Sequence, residues 1–129
     1  MKSFSLLITS APFDSGIAYT AYKFAESLCA MGHQLNGVFF YQAGVHHANN
    51  LLSVAADETN LHQLWTELAN QHQFPLYTCV TAANRRGILS QQDADDNDKT
   101  HFNLAAPFQQ VGLGEWITLS NQSDRVVQF

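Results

Sequence analysis

The stretch from Phe74 to Gly87, FPLYTCVTAANRRG, decides the fold of this chain. Its apolar run Leu76–Val80 predicts a short buried strand, and Thr81–Arg86 predicts a helical turn that ends at Gly87. This order places Cys79 at the carboxyl end of a strand and at the start of a helix. Open α/β sheets hold their ligands and their chemistry at this edge, so Cys79 is the candidate reactive residue.

The surroundings predicted for Cys79 favour a thiolate over a thiol. A helix N-terminus carries partial positive charge and free N–H groups, and both stabilise an anion. The thiolate is therefore predicted to be stabilised by the backbone amides of Thr81, Ala82 and Ala83. The positive side chains of Arg85 and Arg86 are predicted to add to this effect. The two arginines fit a helix-end or surface role equally well, or the docking of a carrier protein. From the residues alone, Cys79 itself stays open between a reactive and a packed role.

Length and composition restrict the class of protein. A chain of 129 residues predicts one domain spanning residues 1–129. Charged residues make up 13% of the chain, against about 25% in an average protein, which suggests surfaces covered by partner subunits. Plentiful Gln, Asn, Ser and Thr offer the alternative that uncharged polar groups solvate the surface. A net charge of −5 disfavours direct nucleic-acid binding, which needs clustered Lys and Arg.

The two cysteines and the N-terminal sequence indicate a compartment. Cys29 and Cys79 show no zinc-site spacing and no disulfide framework. The N-terminal MKSFSLLITSAP lacks a signal-peptide pattern, and no stretch approaches the roughly 20 apolar residues of a membrane span. The expectation is a cytoplasmic protein with reduced thiols that makes no contact with a membrane.

The first third of the chain predicts a β-α-β unit. Ser3–Thr9 is a near-continuous apolar run, as expected for a central parallel strand, and Gln34–Tyr41 is a second strand. The helix between them is predicted at Gly16–Met31 with Ser15 as its cap. Its apolar stripe consists of Ile17, Ala21, Phe24, Ala25, Leu28 and Met31. Cys29 lies beside this stripe and is predicted to be a packing residue.

The segment Gln42–Asn50, QAGVHHANN, follows the second strand and is predicted to be a loop at the carboxyl edge of the sheet, facing the same side as Cys79. Its adjacent residues His46 and His47 cannot both point the same way on a regular element. Because no further ligand suggests itself, a metal site is disfavoured. Both are interpreted as surface histidines, or one of them as packed against a partner.

The remaining segments complete an α/β pattern. They predict a helix over Leu61–Gln71 capped by Asn60, a polar loop or ragged helix over Ile88–Thr100, a short strand over Phe108–Val111, a helix over Leu113–Ser120 and a last strand over Arg125–Phe129. Asp57 and Glu58 are interpreted as helix-start charges. In the helix over Leu113–Ser120, one side is predicted to consist of Leu113, Trp116, Ile117 and Ser120. The predicted fold is a three-layer, doubly wound α/β domain with a mostly parallel sheet of about five strands.

Several segments together resemble the DsrE/TusD family of small sulfur-relay subunits. They are KFAESLCAMGHQLNGVFFYQAGVHHANNL at Lys23–Leu51, the Cys79 strand with AANRRG at Ala82–Gly87, GLGE at Gly112–Glu115 and DRVVQF at Asp124–Phe129. The resemblance covers nearly the whole chain. The loop Ser10–Ser15 and the polar stretch Gln91–His101 depart from the family pattern. These departures affect the details of the pocket wall and not the assignment to the family.

The resemblance implies a fold, a reaction and a set of partners. It implies a single DsrE-like domain with a persulfide-carrying cysteine, which corresponds to Cys79. It also implies a heterohexamer with TusB-like and TusC-like subunits, a TusA-like sulfur donor and a TusE-like sulfur acceptor. The implied end product is 2-thiouridine at the wobble position of tRNA. The implied sulfur transfer requires no metal, nucleotide or organic cofactor.

Three other functions are weighed against sulfur transfer. The first is a non-catalytic scaffold subunit with an inert Cys79, since the family has members without the cysteine. The second is a flavodoxin-like binder of a nucleotide or flavin, for which Ser10–Ser15 makes a poor phosphate loop and GLG an incomplete dinucleotide motif. The third is a thiol peroxidase or disulfide reductase, which is disfavoured because no resolving cysteine lies near Cys79 in sequence.

Overall fold

All the strands of the chain belong to one parallel sheet. The computed structural model describes residues 1–129. The strands are β1 Ser3–Ile8, β2 Gln34–Phe40, β3 Leu76–Cys79, β4 Phe108–Val111 and β5 Arg125–Gln128. The helices are α1 Ile17–Ala30, α2 Leu61–His72, α3 Val80–Arg85, α4 Gln91–Asp96 and α5 Leu113–Asn121, with a 3-10 helix at Gln42–Ala48. The strand order is β4-β3-β2-β1-β5 and every pair is parallel, so all carboxyl ends lie at one edge.

Strand β2 shows how the two faces of the sheet are covered. Phe39 and Phe40 point to opposite faces because side chains alternate along a strand, and both are fully buried. The Phe40 ring lies 5.7 Å from that of Trp65 on α2, and the Phe39 ring lies 5.9 Å from that of Trp116 on α5. Helices therefore cover both faces, which confirms the predicted three-layer α/β fold.

The start of helix α1 and its buried face differ from the sequence prediction. Its N-cap is Gly16, and the Ser15 hydroxyl only accepts a hydrogen bond from the N–H of Ile17 at 3.3 Å. Ile17 is 51% exposed and Met31 is 73% exposed. The predicted stripe is wrong at these two residues because one begins the helix and the other is its C-cap, beyond the part that packs on the sheet. The middle of the stripe, Ala21, Ala25 and Leu28, is buried as predicted.

Helix α5 is rotated relative to the sequence prediction. Leu119 is buried, whereas Leu113 is 48% and Ile117 is 58% exposed. The cause is Gly37 on β2, since a Cβ there would lie 3.0 Å from Cδ1 of Leu119. Leu119 fills the space that this glycine leaves, and Trp116 lies three residues earlier on the same face. The predicted side with Leu113, Trp116, Ile117 and Ser120 is therefore not the buried face of α5, and an apolar edge of α5 faces outward.

The start of α2 matches the cap predicted from the sequence, and α4 has a side-chain cap that was not predicted. The Asn60 side chain accepts from the N–H of Gln63 at 3.2 Å, and Ser90 accepts from the N–H of Asp93 at 3.1 Å. Ser90 thus starts α4 inside the polar stretch Ile88–Thr100, which confirms the ragged-helix alternative.

No helix of the chain is both long enough and apolar enough to cross a membrane.

Candidate active site

Cys79 lies where the sequence places it. It is the last residue of β3 and the N-cap of α3, with φ −63° and ψ 118°. Its neighbour in the sheet is Val111, at the end of β4. Only 4% of Cys79 is exposed, so the thiol is recessed below the surface.

A cleft of about 470 Å³ opens at this edge of the sheet, and Cys79 contributes to its lining. Three segments form its walls: the end of β2, the junction of β3 with α3, and the start of α5. The lining residues are Tyr41, Gln42, Cys79, Val80, Thr81, Ala82, Arg85, Arg86, Gly112 and Leu113. The fold thus brings the cysteine and the Arg85–Arg86 pair to a single cavity.

One predicted supporting residue lies outside this cleft. Thr81 and Ala82 are among the lining residues, but Ala83 is fully buried and is absent from the lining. The carbonyl of Ala83 accepts hydrogen bonds from the N–H groups of Arg86 at 3.0 Å and Ile88 at 2.9 Å. In this structure Ala83 therefore closes the end of α3 and does not face the cleft.

The two arginines give the cleft a positive rim. Both are exposed, and neither is part of an ion pair, since the chain has one ion pair, Lys23–Glu26 at 2.7 Å. Arg86 Nη1 donates to the carbonyl of Ala82 at 3.0 Å, which fixes this side chain along α3. Arg86 thereby fulfils the predicted helix-end role while its charge stays at the cleft. An anionic group entering the cleft meets two uncompensated positive charges.

The wall formed by residues 42–48 is a 3-10 helix, where the sequence predicted a loop over Gln42–Asn50. The N–H of Gly44 donates to the carbonyl of Tyr41 at 2.9 Å, and the N–H of Tyr41 donates to that of Ile8 at 3.0 Å. Gly44 also lies directly against β1, since a Cβ on it would be 2.0 Å from the Ile8 carbonyl oxygen. The missing side chain allows this close approach, so residues 42–48 pack directly on β1.

His47 is part of the core, so its interpretation as a surface or partner-facing residue is wrong. It is fully buried, its ring lies 5.1 Å from that of Phe40, and its Nε2 is 3.0 Å from the carbonyl oxygen of Ser10. Burial lowers the pKa of His47 to about 4. His46, one residue earlier, is half-buried. No group of three or more His, Cys, Asp or Glu side chains is placed to hold a metal ion.

The buried His47 is expected to make the fold sensitive to acid. Between pH 6.5 and about 4 the unfolded chain binds a proton at this residue and the folded chain does not, so stability falls as pH decreases. The loss has a ceiling of roughly 3 kcal/mol, reached near pH 4, and His62, whose pKa burial also lowers, acts in the same direction. Urea unfolding across this range would measure the loss. His47→Gln should flatten the dependence and His46→Gln should not, whereas equal slopes in all three proteins would contradict this role.

The sequence placed the Cys79 junction and the Gln42–Asn50 segment at the same edge of the sheet, and it missed the wall at the start of α5. Tyr41 and Gln42 follow β2, and Gly112 and Leu113 follow β4. The signal for Gly112 and Leu113 in the sequence is position alone, because they come directly after a predicted strand. Since β2 and β4 flank β3 in the sheet, both pairs meet beside Cys79.

The fold and the cleft define a class: a three-layer α/β protein with a recessed cysteine at the carboxyl edge of a parallel sheet. The model of the DsrE/DsrF-like family matches residues 2–129, and the chain belongs to this family. This confirms the family resemblance that the sequence motifs indicated.

Similar proteins span the whole chain. Sulfurtransferase TusD of Photorhabdus laumondii is 42% identical over 127 residues, which cover 98% of this chain and 97% of the relative. Sulfurtransferase TusD of Serratia proteamaculans is 41% identical over the full length of both chains. A sulfurtransferase TusD homolog of Vibrio vulnificus is 44% identical over 126 residues, 98% of this chain and 96% of the relative. The crystal structure of the ychN protein from E. coli shares the fold, with a TM-score of 0.80, 18% identity and complete coverage of both chains.

Proposed function

We propose that this chain is a persulfide-carrying sulfurtransferase. Cys79 accepts a sulfane sulfur from a small TusA-like carrier and passes it to a cysteine of a TusE-like acceptor, in the synthesis of 2-thiouridine at the tRNA wobble position. The observation that carries the proposal is the recessed Cys79 in a cleft with two unpaired arginines. The relatives named sulfurtransferase TusD support the class of reaction.

The chemistry consists of two exchanges that conserve atoms and electrons. In the first, the Cys79 thiolate attacks the outer sulfur of the donor persulfide, a new S–S bond forms, and the donor leaves as a thiolate. In the second, an acceptor thiolate attacks the outer sulfur now on Cys79, and the Cys79 thiolate leaves. Each step follows the rules of thiol–disulfide exchange, in which rates depend on thiolate fraction and access. Neither step needs an oxidant, a reductant, a metal or an organic cofactor.

The groups beside Cys79 have distinct roles in this proposal. The N–H groups of Thr81 and Ala82 belong to the first turn of α3, where they lack acceptors within the helix, and they stabilise the anionic sulfur. Arg85 is free to hold an anionic group of a carrier protein at the rim. Arg86 holds the α3 backbone through the Ala82 carbonyl and adds to the positive field. Ala83 contributes only through the packing of the helix.

We extend the proposal to an assembly with TusB-like and TusC-like subunits as a heterohexamer in the cytoplasm, where thiols stay reduced. Large apolar side chains on the surface support a covered face, and they include Ile17, Met31, Leu51, Leu113, Ile117 and Val126. The chain itself carries net charge −5, so the tRNA is reached through the acceptor and not by direct binding.

One observation favours a second candidate function, the scaffold subunit. Cys79 is only 4% exposed, which is also the state of an inert, packed cysteine. In that case the cleft serves assembly and another subunit carries the sulfur.

The proposal is tested by loading the protein with a persulfide-bearing carrier and locating the added sulfur by intact-mass and peptide mass spectrometry. One sulfur atom on the Cys79 peptide, removable by reductant, is the expected result. Cys29 is an internal control, because burial raises the pKa of its thiol and leaves little thiolate. The Cys29→Ser variant should load as fully as the wild type. No sulfur on Cys79, with the partner subunits present, would favour the scaffold.

A further inference from the structure

Gln42 has a left-handed backbone conformation although it does not follow the end of an α-helix. Three residues other than glycine have positive φ: Gln42 at 53°, Gln73 at 57° and Asp98 at 57°. Gln73 and Asp98 follow the ends of α2 and α4, where a left-handed residue commonly terminates a helix. Gln42 instead follows strand β2 and begins the 3-10 helix, inside the cleft that holds Cys79.

The surrounding contacts force this conformation. The N–H of Tyr41 donates to the Ile8 carbonyl, and the N–H of Gly44 donates to the Tyr41 carbonyl. Gly44 also lies against β1, so the chain must turn at Gln42. Glycine fulfils such a turn without strain, and asparagine tolerates it better than glutamine. A long carboxamide side chain therefore occupies a place that the backbone alone would assign to glycine. Strained residues of this kind cluster at functional sites.

A persulfide on Cys79 places its charge away from the recessed Sγ. The outer sulfur lies about 2.05 Å beyond Sγ, the length of an S–S bond, and it carries the negative charge of the anion. Since Sγ is nearly covered, the outer sulfur projects into the cleft and meets the residues that line it. A neutral N–H donor suits this atom, because it stabilises the anion without forming an ion pair.

We propose that Gln42 is a positioning residue for the sulfur on Cys79, and that its carboxamide N–H donates to the outer sulfur of the persulfide. This inference rests on the proposed function. The same side chain holds the outer sulfur in line with the incoming thiolate. The outer sulfur takes up a proton before the attack, the S–S bond to Sγ then breaks, and the Cys79 thiolate leaves. In this arrangement the arginines at the rim bind the partner protein, and Gln42 binds the outer sulfur.

The test compares Gln42→Gly with Gln73→Gly, a matched change at the other left-handed glutamine. Gln73 uses its Nε2 to donate to the Asn70 carbonyl at 2.6 Å and does not line the cleft. Each protein is loaded with inorganic polysulfide. Three quantities are then measured: the thermal midpoint, the pH titration of the persulfide by its ultraviolet absorbance, and the rate of sulfur transfer to a low-molecular-weight thiol.

Both variants are expected to unfold no earlier than the wild type, since glycine relieves the strain at positive φ. In Gln42→Gly the persulfide should titrate about one pH unit higher, as for loss of a hydrogen bond to a charged group. At equal fractions of protonated persulfide, transfer should slow about tenfold, because the outer sulfur is no longer held in line with the attacking thiolate. Gln73→Gly should match the wild type in both, and Gln42→Asn should recover part of the loss. Wild-type titration and rates in Gln42→Gly would overturn the role of Gln42. A wild-type protein that takes no sulfur on Cys79 would instead overturn the proposed function, and this inference with it.

Discussion

Replacing Cys79 with serine is expected to abolish sulfur transfer and to leave the fold and the assembly intact. The hydroxyl of serine is not ionised near neutral pH and cannot carry a sulfane sulfur. The fold should tolerate the change because Cys79 is the N-cap of α3, a position at which serine is among the preferred residues. Its hydroxyl can accept a hydrogen bond from an N–H of the first turn, so no buried polar group is left unpaired.

This result separates a sulfur carrier from a scaffold. Transfer from a persulfide-loaded donor to an acceptor cysteine is measured with the partner subunits present, and assembly is followed by native mass spectrometry. A carrier predicts loss of transfer with normal assembly in Cys79→Ser, and no change in Cys29→Ser. Transfer that persists in Cys79→Ser would show that the sulfur travels through another subunit.

Local sequence patterns predicted the strands and the position of the cysteine. Continuous apolar runs that end in turn residues identified β1, β2 and β3 to within about one residue of the observed bounds. A strand followed directly by helix-forming residues then placed Cys79 at the junction of β3 and α3. These predictions succeeded because the information lies within a few residues of each element.

Contacts between distant residues account for the failures. Helix α5 faces the sheet with Leu119 because Gly37, far earlier in the chain, leaves room for that side chain. His47 is buried because the carbonyl of Ser10 and the ring of Phe40 meet it. Helical periodicity or the polarity of a single residue cannot reveal such pairs, since each depends on how the elements pack.

Two walls of the site were predicted and the third was missed. Arg85 and Arg86 were found because they follow Cys79 in sequence, and the segment from Gln42 was placed at the same sheet edge as Cys79 because it follows a predicted strand. Leu113 was missed because it reaches the cleft through the strand order β4-β3-β2, which places the end of β4 beside β3. The strand order was not predicted, so the start of α5 had not been assigned to the cleft.

Gly44→Ala is expected to cause a loss of stability of roughly 4 kcal/mol, at the severe end for a single substitution. The added methyl group would lie 2.0 Å from the Ile8 carbonyl oxygen and 2.8 Å from its carbon. Ile8 is fully buried in β1. Because β1 is paired with β2 on one side and β5 on the other, it cannot move away from the added methyl group. The 3-10 helix must therefore move, which disturbs the bond from the Tyr41 N–H to the same oxygen.

The matched control is Gly16→Ala, where a Cβ meets no atom within 4 Å and the residue has helical dihedral angles. This variant should be neutral or more stable than the wild type, because alanine restricts the unfolded chain. Urea unfolding measures both changes, and persulfide loading of Cys79 reports on the cleft. If the 3-10 helix holds Gln42 in place, Gly44→Ala should also slow sulfur transfer under conditions in which the variant is still folded. Equal stability of the two variants would show that residues 42–48 do not rest on β1, and the packing assigned to this wall of the cleft would then be wrong.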